Sequence, residues 1–302
     1  MPNTLRILTM GDSVTWGQGL LATEKLDYRV QQALMPGVPG GVSLESLAHS
    51  GAVIGANGAI GSPQPGEVPE ARLSVIEQSD GYANSPEAID LIIINGGIND
   101  VGVATILNPA ALIPSLAQRI VSACHDGMLQ LLNKVSAKFI KPTCRIVVIG
   151  YYPILSADSD PLGVIKLLSL FGIAIPQFLD NEIDFINPVL ARCSQFFIES
   201  ASELARAVTD AGDPRITFVP SGYTDANAVF ASAPLLWGLD LTEDLGPQDP
   251  VAMARHPLCD SAYPGALNVL QRELCYRASA GHPNVQGAMQ LSKQVLKAVL
   301  HT

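Results

Sequence analysis

Apolar residues along this 302-residue chain gather in five short runs, separated by stretches with helical spacing. The runs are RILTM (6–10), GVSLESLA (41–48), DLIIIN (90–95), RIVVIGY (145–151) and RITFVP (215–220). In LIII and IVVI the apolar residues do not alternate with polar ones. Both faces of those strands are therefore expected to be buried, as in a parallel sheet covered by helices. Helical spacing predicts helices over 25–35, 71–78, 109–139, 185–212 and 284–300. The third is expected to break at Pro114 or Gly127, and the fourth to end on a glycine C-cap. Alternating units of this size predict a three-layer α/β/α arrangement with a mostly parallel five-stranded sheet and right-handed crossovers. One domain is expected over 1–302. Ligands of such sheets bind at the carboxyl ends of the strands, which puts Ser13, Asn95–Asp100 and Gly150–Pro153 on one rim.

Two stretches depart from this rhythm: an apolar, helix-like insert around 152–184 and a loop-rich segment around 221–270. Loops this long in a compact domain are usually functional. With 48% hydrophobic residues the chain can bury a large core. Its formal net charge of −10 argues against nucleic acid or an anionic membrane as the main partner, since both need a basic face. The most apolar stretch, 162–179, contains Lys166, Gly172 and Pro176, so no membrane span is expected. The chain starts straight into a strand. It is expected to be soluble, and either cytoplasmic or secreted with its leader absent. Five cysteines are too few for a disulfide scaffold; buried thiols are the default reading, with Cys259–Cys275 or Cys124–Cys144 as possible bridges.

The candidate chemistry begins at MGDSVTWG (10–17), directly behind the first run. Asp and Ser after a strand are good helix caps, so Ser13 needs more than its neighbours to count as a nucleophile. It needs a base, an oxyanion site and a way of presenting its hydroxyl. Of the five histidines, His282 in SAGHPNVQGA lies just before the last helix, where a loop can return it to the rim. His125 and His301 read as structural or solvated. His49 sits near the end of the second strand, and His256 belongs to the loop-rich segment. The N–H groups of Ser13 and Gly51 and the side-chain amide of Asn99 each leave an adjacent strand, and together they can hold a developing oxyanion.

GDS after the first strand, an isolated Gly after the second, GIND (97–100) after the third and HPN (282–284) near the end resemble the four blocks of the SGNH, or GDSL-type, hydrolase family. The resemblance runs from about residue 6 to residue 300, without a shared motif between 152 and 275. It implies a flavodoxin-like hydrolase fold and ester hydrolysis through an acyl-serine intermediate. It makes Ser13 the nucleophile, Ser13, Gly51 and Asn99 the oxyanion donors, and His282 the general base. Asp12 and Asp100 match motif positions and read as turn and network residues. Neither a cofactor nor a metal is expected: HPLC (256–259) with Cys275 matches no common zinc spacing, and GANGAIG (55–61) lacks the context of a phosphate loop. DNEID (180–184) reads as a solvated helix start.

One position departs from the family. Members carry Asp three residues before the histidine, where this chain has Ser279. A backbone carbonyl or the Ser279 hydroxyl then orients the imidazole as a dyad, or a carboxylate such as Asp260 or Asp240 swings in, or catalysis is impaired. The apolar insert and Trp237 favour a small-molecule ester with a lipidic or aryl part. The alternatives are a carbohydrate acetyl esterase and a non-catalytic binding protein on the same fold.

Overall fold

The computed structural model describes residues 4–55, 64–70, 73–110, 112–173, 182–242 and 246–300. Five strands form one sheet: β1 (Leu5–Met10), β2 (Val42–Ser46), β3 (Leu91–Ile94), β4 (Arg145–Ile149) and β5 (Ile216–Val219). All pairings are parallel, in the order β2-β1-β3-β4-β5. β3 is buried at every position and β4 at all but its first. That explains why LIII and IVVI carry no polar face: helices cover the sheet on both sides.

The short helix α1 (Ser13–Trp16) follows β1 directly, and α2 (Leu26–Leu34) leads to β2. Next come α3 (Val75–Gly81), α4 (Ile98–Val101), α5 (Val103–Leu107), α6 (Ile113–Ile120) and α7 (Met128–Lys138). After β4 follow α8 (Pro161–Leu170) and the 30-residue α9 (Glu182–Ala211), then α10 (Ala252–Ala262), α11 (Val269–Tyr276) and α12 (Val285–Leu300). α2 and α12 pack on each other and on the sheet, while α3, α6, α7 and α9 form the second helical layer. α12 buries Ala288, Leu291 and Val295, the stripe that its spacing predicts.

The expected break in 109–139 does not occur. Pro114 is the second residue of α6, where its missing N–H leaves no helical bond unmade. At Gly127 the chain passes from a π-helical turn (Val121–Gly127) into α7 without interruption. That turn brings Cys124 against the backbone of Gly97, where an added Cβ would lie 3.0 Å from its Sγ. The helix expected at 71–78 starts at Val75, behind a reciprocal cap between Ser74 and Glu77.

The segment 221–270, read as loop-rich, also holds α10 and the start of α11. α10 contains Pro257, so local propensity hides it. A Cys259–Cys275 disulfide ties α10 to α11, while Cys124, Cys144 and Cys193 are buried thiols. Most of GANGAIG and part of DNEID lie outside the described residues. No described helix is long and apolar enough to cross a membrane.

Candidate active site

The sheet order reverses around β1 and β3; Ser13 and Asn99 follow their carboxyl ends, Gly51 follows β2, and His282 comes from the turn before α12. Gly11 ends β1 at φ 140°, and a Cβ there would lie 2.4 Å from Thr15 Oγ1 and 2.6 Å from the Asn95 carbonyl. Only glycine fits this corner. Asp12 then caps α1, its carboxylate accepting from Val14 N–H (2.9 Å), Asn95 Nδ2 (2.9 Å) and Tyr151 O–H (2.7 Å). Burial pushes the Asp12 carboxyl up, against the pull of these three donors. The Tyr151 hydroxyl in turn accepts from Ile98 N–H at the start of α4 (3.0 Å). Asp12 and Tyr151 thus tie the turn after β1 to the turn after β3, and Ser13 sits on the first residue of α1, 4% exposed.

Gly51 adopts φ 78°, with the Pro69 carbonyl 2.6 Å from where a Cβ would stand. Asn99 gives one amide N–H to the Ala52 carbonyl (2.9 Å), which fixes the side chain and leaves its other N–H to the cavity. Among the described residues no acceptor takes the N–H of Ser13 or of Gly51. Asp100 accepts from Ile54 N–H (3.1 and 3.0 Å) and so holds the loop behind Gly51.

His282 Nε2 lies 2.7 Å from Ser13 Oγ across 269 residues of chain. Its backbone is held on both sides, His282 N–H to the Ser279 carbonyl (2.8 Å) and Trp237 N–H to the His282 carbonyl (2.7 Å). Burial above all pushes the imidazole down to about 4, with the Arg255 charge acting the same way. The carbonyls of Ser279, Ala280 and Ala278 favour the charged ring, yet Nδ1 has no hydrogen-bond partner among the described residues. A neutral imidazole is the form that accepts a serine proton.

Neither carboxylate named from the sequence stands behind His282. Asp260 accepts from the Tyr276 hydroxyl on the surface, and Asp240 binds Thr242 in its own turn. The carboxylate that does stand nearby is Asp249, which accepts from the hydroxyl of the buried Ser279. Sequence reasoning missed it, although Ser279 in an aspartate's place was itself a signal that the charge lies elsewhere. Arg255, fully buried, pairs with Asp249 and with Glu67 (3.2 Å). Of the other histidines, His49 bonds backbone carbonyls in its own loop, His125 pairs with Asp126 and Asp210, and His256 stacks on Tyr276. No group of three metal-ligating side chains is found among the described residues.

Ser13, Gly51, Asn99 and His282 share one cavity of about 310 Å³. Ile98, Val103 and Ile154 line it beside Leu170 and Phe171 from the end of α8 in the insert, and Leu274 from α11. The region read as a possible acyl wall therefore does reach the cavity, together with α11, whose Cys275 is bridged to α10, and Tyr263 just beyond α10.

The model of the family described as GDSL-like lipase/acylhydrolase matches residues 7–290. The chain belongs to that family, and it is a carboxylic ester hydrolase with an α/β/α fold. Among solved structures it is similar to an extracellular lipase from Streptomyces rimosus, with 15% identity over 97% of this chain and 99% of that one, and a TM-score of 0.55. It is also similar to a phospholipase A1 from Streptomyces albidoflavus, with 14% identity over 99% of each chain and a TM-score of 0.52. At such identities these likenesses speak for the fold. No curated protein matches the chain.

Proposed function

We propose that the chain cleaves esters carrying an apolar acyl or aryl part, with Ser13 as nucleophile and His282 as general base. The 2.7 Å contact between Ser13 Oγ and the part-buried His282 imidazole, both lining one largely apolar cavity, carries this reading. Ser13 Oγ attacks the ester carbonyl carbon while His282 Nε2 takes the hydroxyl proton. The carbonyl oxygen gains negative charge and meets the N–H groups of Ser13 and Gly51 and the amide of Asn99. Collapse of this intermediate breaks the bond to the alcohol, which leaves with the proton from His282. A water then repeats the cycle on the acyl-serine and releases the carboxylic acid.

Hydrolysis of p-nitrophenyl esters from C2 to C16, with wild type and Ser13→Ala in parallel, tests the reading. Wild type is expected to turn over and Ser13→Ala to lose about 10⁴-fold or more in kcat. An optimum beyond C4 supports the apolar wall; activity confined to acetyl esters removes it. Equal rates in both proteins, or no labelling of Ser13 by a fluorophosphonate, overturn the assignment.

A further inference from the structure

A row of buried polar groups runs from the turn of the nucleophile to the turn of the histidine, and the proposed reaction makes no direct use of it. It starts just beyond Ser13: Trp16 Nε1 donates to Glu67 Oε1 (3.1 Å), and Gln18 Nε2 donates to Glu67 Oε2 (2.9 Å). Glu67 Oε2 also accepts from Arg255 Nε (3.2 Å). The Arg255 guanidinium has no solvent-exposed surface and spreads its other donors to the Tyr276 carbonyl (2.8 Å) and to Asp249 Oδ1. The Asp249 carboxylate is equally buried, and its second oxygen accepts from the hydroxyl of Ser279. The Ser279 carbonyl then accepts the backbone N–H of His282 (2.8 Å). The row thus grips the turn 276–282 at both Tyr276 and Ser279, and the far end of it holds the turn that carries Ser13.

Burying a guanidinium and a carboxylate with no access to water costs more than a well-packed apolar pair would, so stability alone is a weak reason for the arrangement. A hydrolytic histidine, on the other hand, requires its ring to be held at a fixed angle. Gly19 makes the approach possible. At φ 82° it packs so closely that a Cβ would lie 2.6 Å from Ser279 Cβ and 3.1 Å from Asp249 Cβ.

We infer that Asp249, with Ser279 and Arg255, positions His282: the carboxylate absent from position 279 is supplied from residue 249 and acts on the histidine turn through the Ser279 hydroxyl. The inference rests on His282 being the base, and it reaches beyond that reading by naming the groups that hold the base. Arg255 fixes the orientation of the Asp249 carboxylate, and Glu67 balances the guanidinium. A carboxylate added at 279 would face Asp249 at hydrogen-bond distance, as two like charges. The chain therefore accommodates an acid at 249 or at 279, not at both.

Four variants assayed on the best p-nitrophenyl ester test this, with circular dichroism as the check on folding. Asp249→Asn and Ser279→Ala are each expected to lower kcat about 10- to 100-fold with KM within about twofold, less than the loss when a directly bonded acid is removed. Ser279→Asp is expected to lose more, and adding Asp249→Ser to it is expected to bring kcat back to within about tenfold of wild type, because one carboxylate again faces Arg255. ¹⁵N signals of the His282 ring, read without substrate, are expected to shift in Asp249→Asn and in Ser279→Ala. Unchanged kcat and unmoved ring signals in both overturn the inference, as does a double variant no more active than Ser279→Asp. Should Asp249→Asn not fold, Ser279→Ala decides, since it leaves the ion pair whole. A wild type without esterase activity sinks the proposed function instead, and the ring signals still decide this point.

Discussion

The two groups proposed to react, Ser13 and His282, are mounted in different ways. Ser13 stands on a corner made from the ends of adjacent strands, and its nearest supports come from the rim of the sheet: Gly11, Asn95, Tyr151 and the cap Asp12. One carboxylate there meets three neutral donors. His282 hangs from a turn behind α11, and its support comes from an ion-paired Asp249–Arg255–Glu67 group in segments far from it in sequence. The nucleophile depends on strand topology, which cannot slip without losing the sheet. The histidine depends on a buried charge cluster, which fails as a unit when one member is removed.

The largest difference between the two mounts should appear on deleting a charge. Arg255→Met strands Asp249 without its cation in a dry site, and is expected to cost about 3–5 kcal/mol of stability. Urea unfolding of the variant beside wild type measures it; a loss below about 1 kcal/mol would mean that Asp249 is not the buried ion that the geometry makes it. On the nucleophile side, Tyr151→Phe removes one donor to Asp12 and one acceptor for Ile98 N–H while keeping the ring packed on Phe196. The expected cost is smaller, about 1.5–3 kcal/mol, with a fall in kcat because Ser13 and Asn99 lose their common tie. If Tyr151→Phe proves as damaging as Arg255→Met, the contrast between the mounts is gone.

The contrast also explains what could be read from the sequence. All five strands were legible, the central two most plainly, because a strand buried on both faces writes an unbroken apolar run, as LIII and IVVI do. GDS, Gly51, GIND and HPN were legible for another reason: each is a short motif at a strand end or helix entry, and the four in this order resemble the blocks of the family. α10 was not, since Pro257 and a mixed composition hide a helix that the Cys259–Cys275 bridge and the buried Arg255 hold in place. Asp249 was out of reach as well. It meets Ser279 across 30 residues, and its pairing with Arg255 is six residues apart, a spacing that puts two residues on different faces of a helix. The departure at 279 pointed to the right segment, and only the fold could choose Asp249 over Asp240 and Asp260.

The smallest expected effect at neutral pH is also the most specific to the histidine's mount. Burial holds the imidazole at about 4, below its ordinary 6.5. The ring is therefore neutral, and able to take the Ser13 proton, down to mildly acidic conditions. kcat/KM, which reports the free enzyme, should stay flat from pH 7 to about 5 and fall about tenfold per pH unit below about 4. Stability runs the other way round from a histidine that gains a partner. The unfolded chain binds a proton near 6.5 and the folded one only near 4, so this group's contribution is whole above 6.5 and erodes as the pH falls from 6.5 to 4. Short assays after a pH jump keep the two effects apart. A limb near 6.5 in such assays would show an imidazole in ordinary contact with water, and with it a histidine turn far more open than the one that Asp249 and Arg255 grip here.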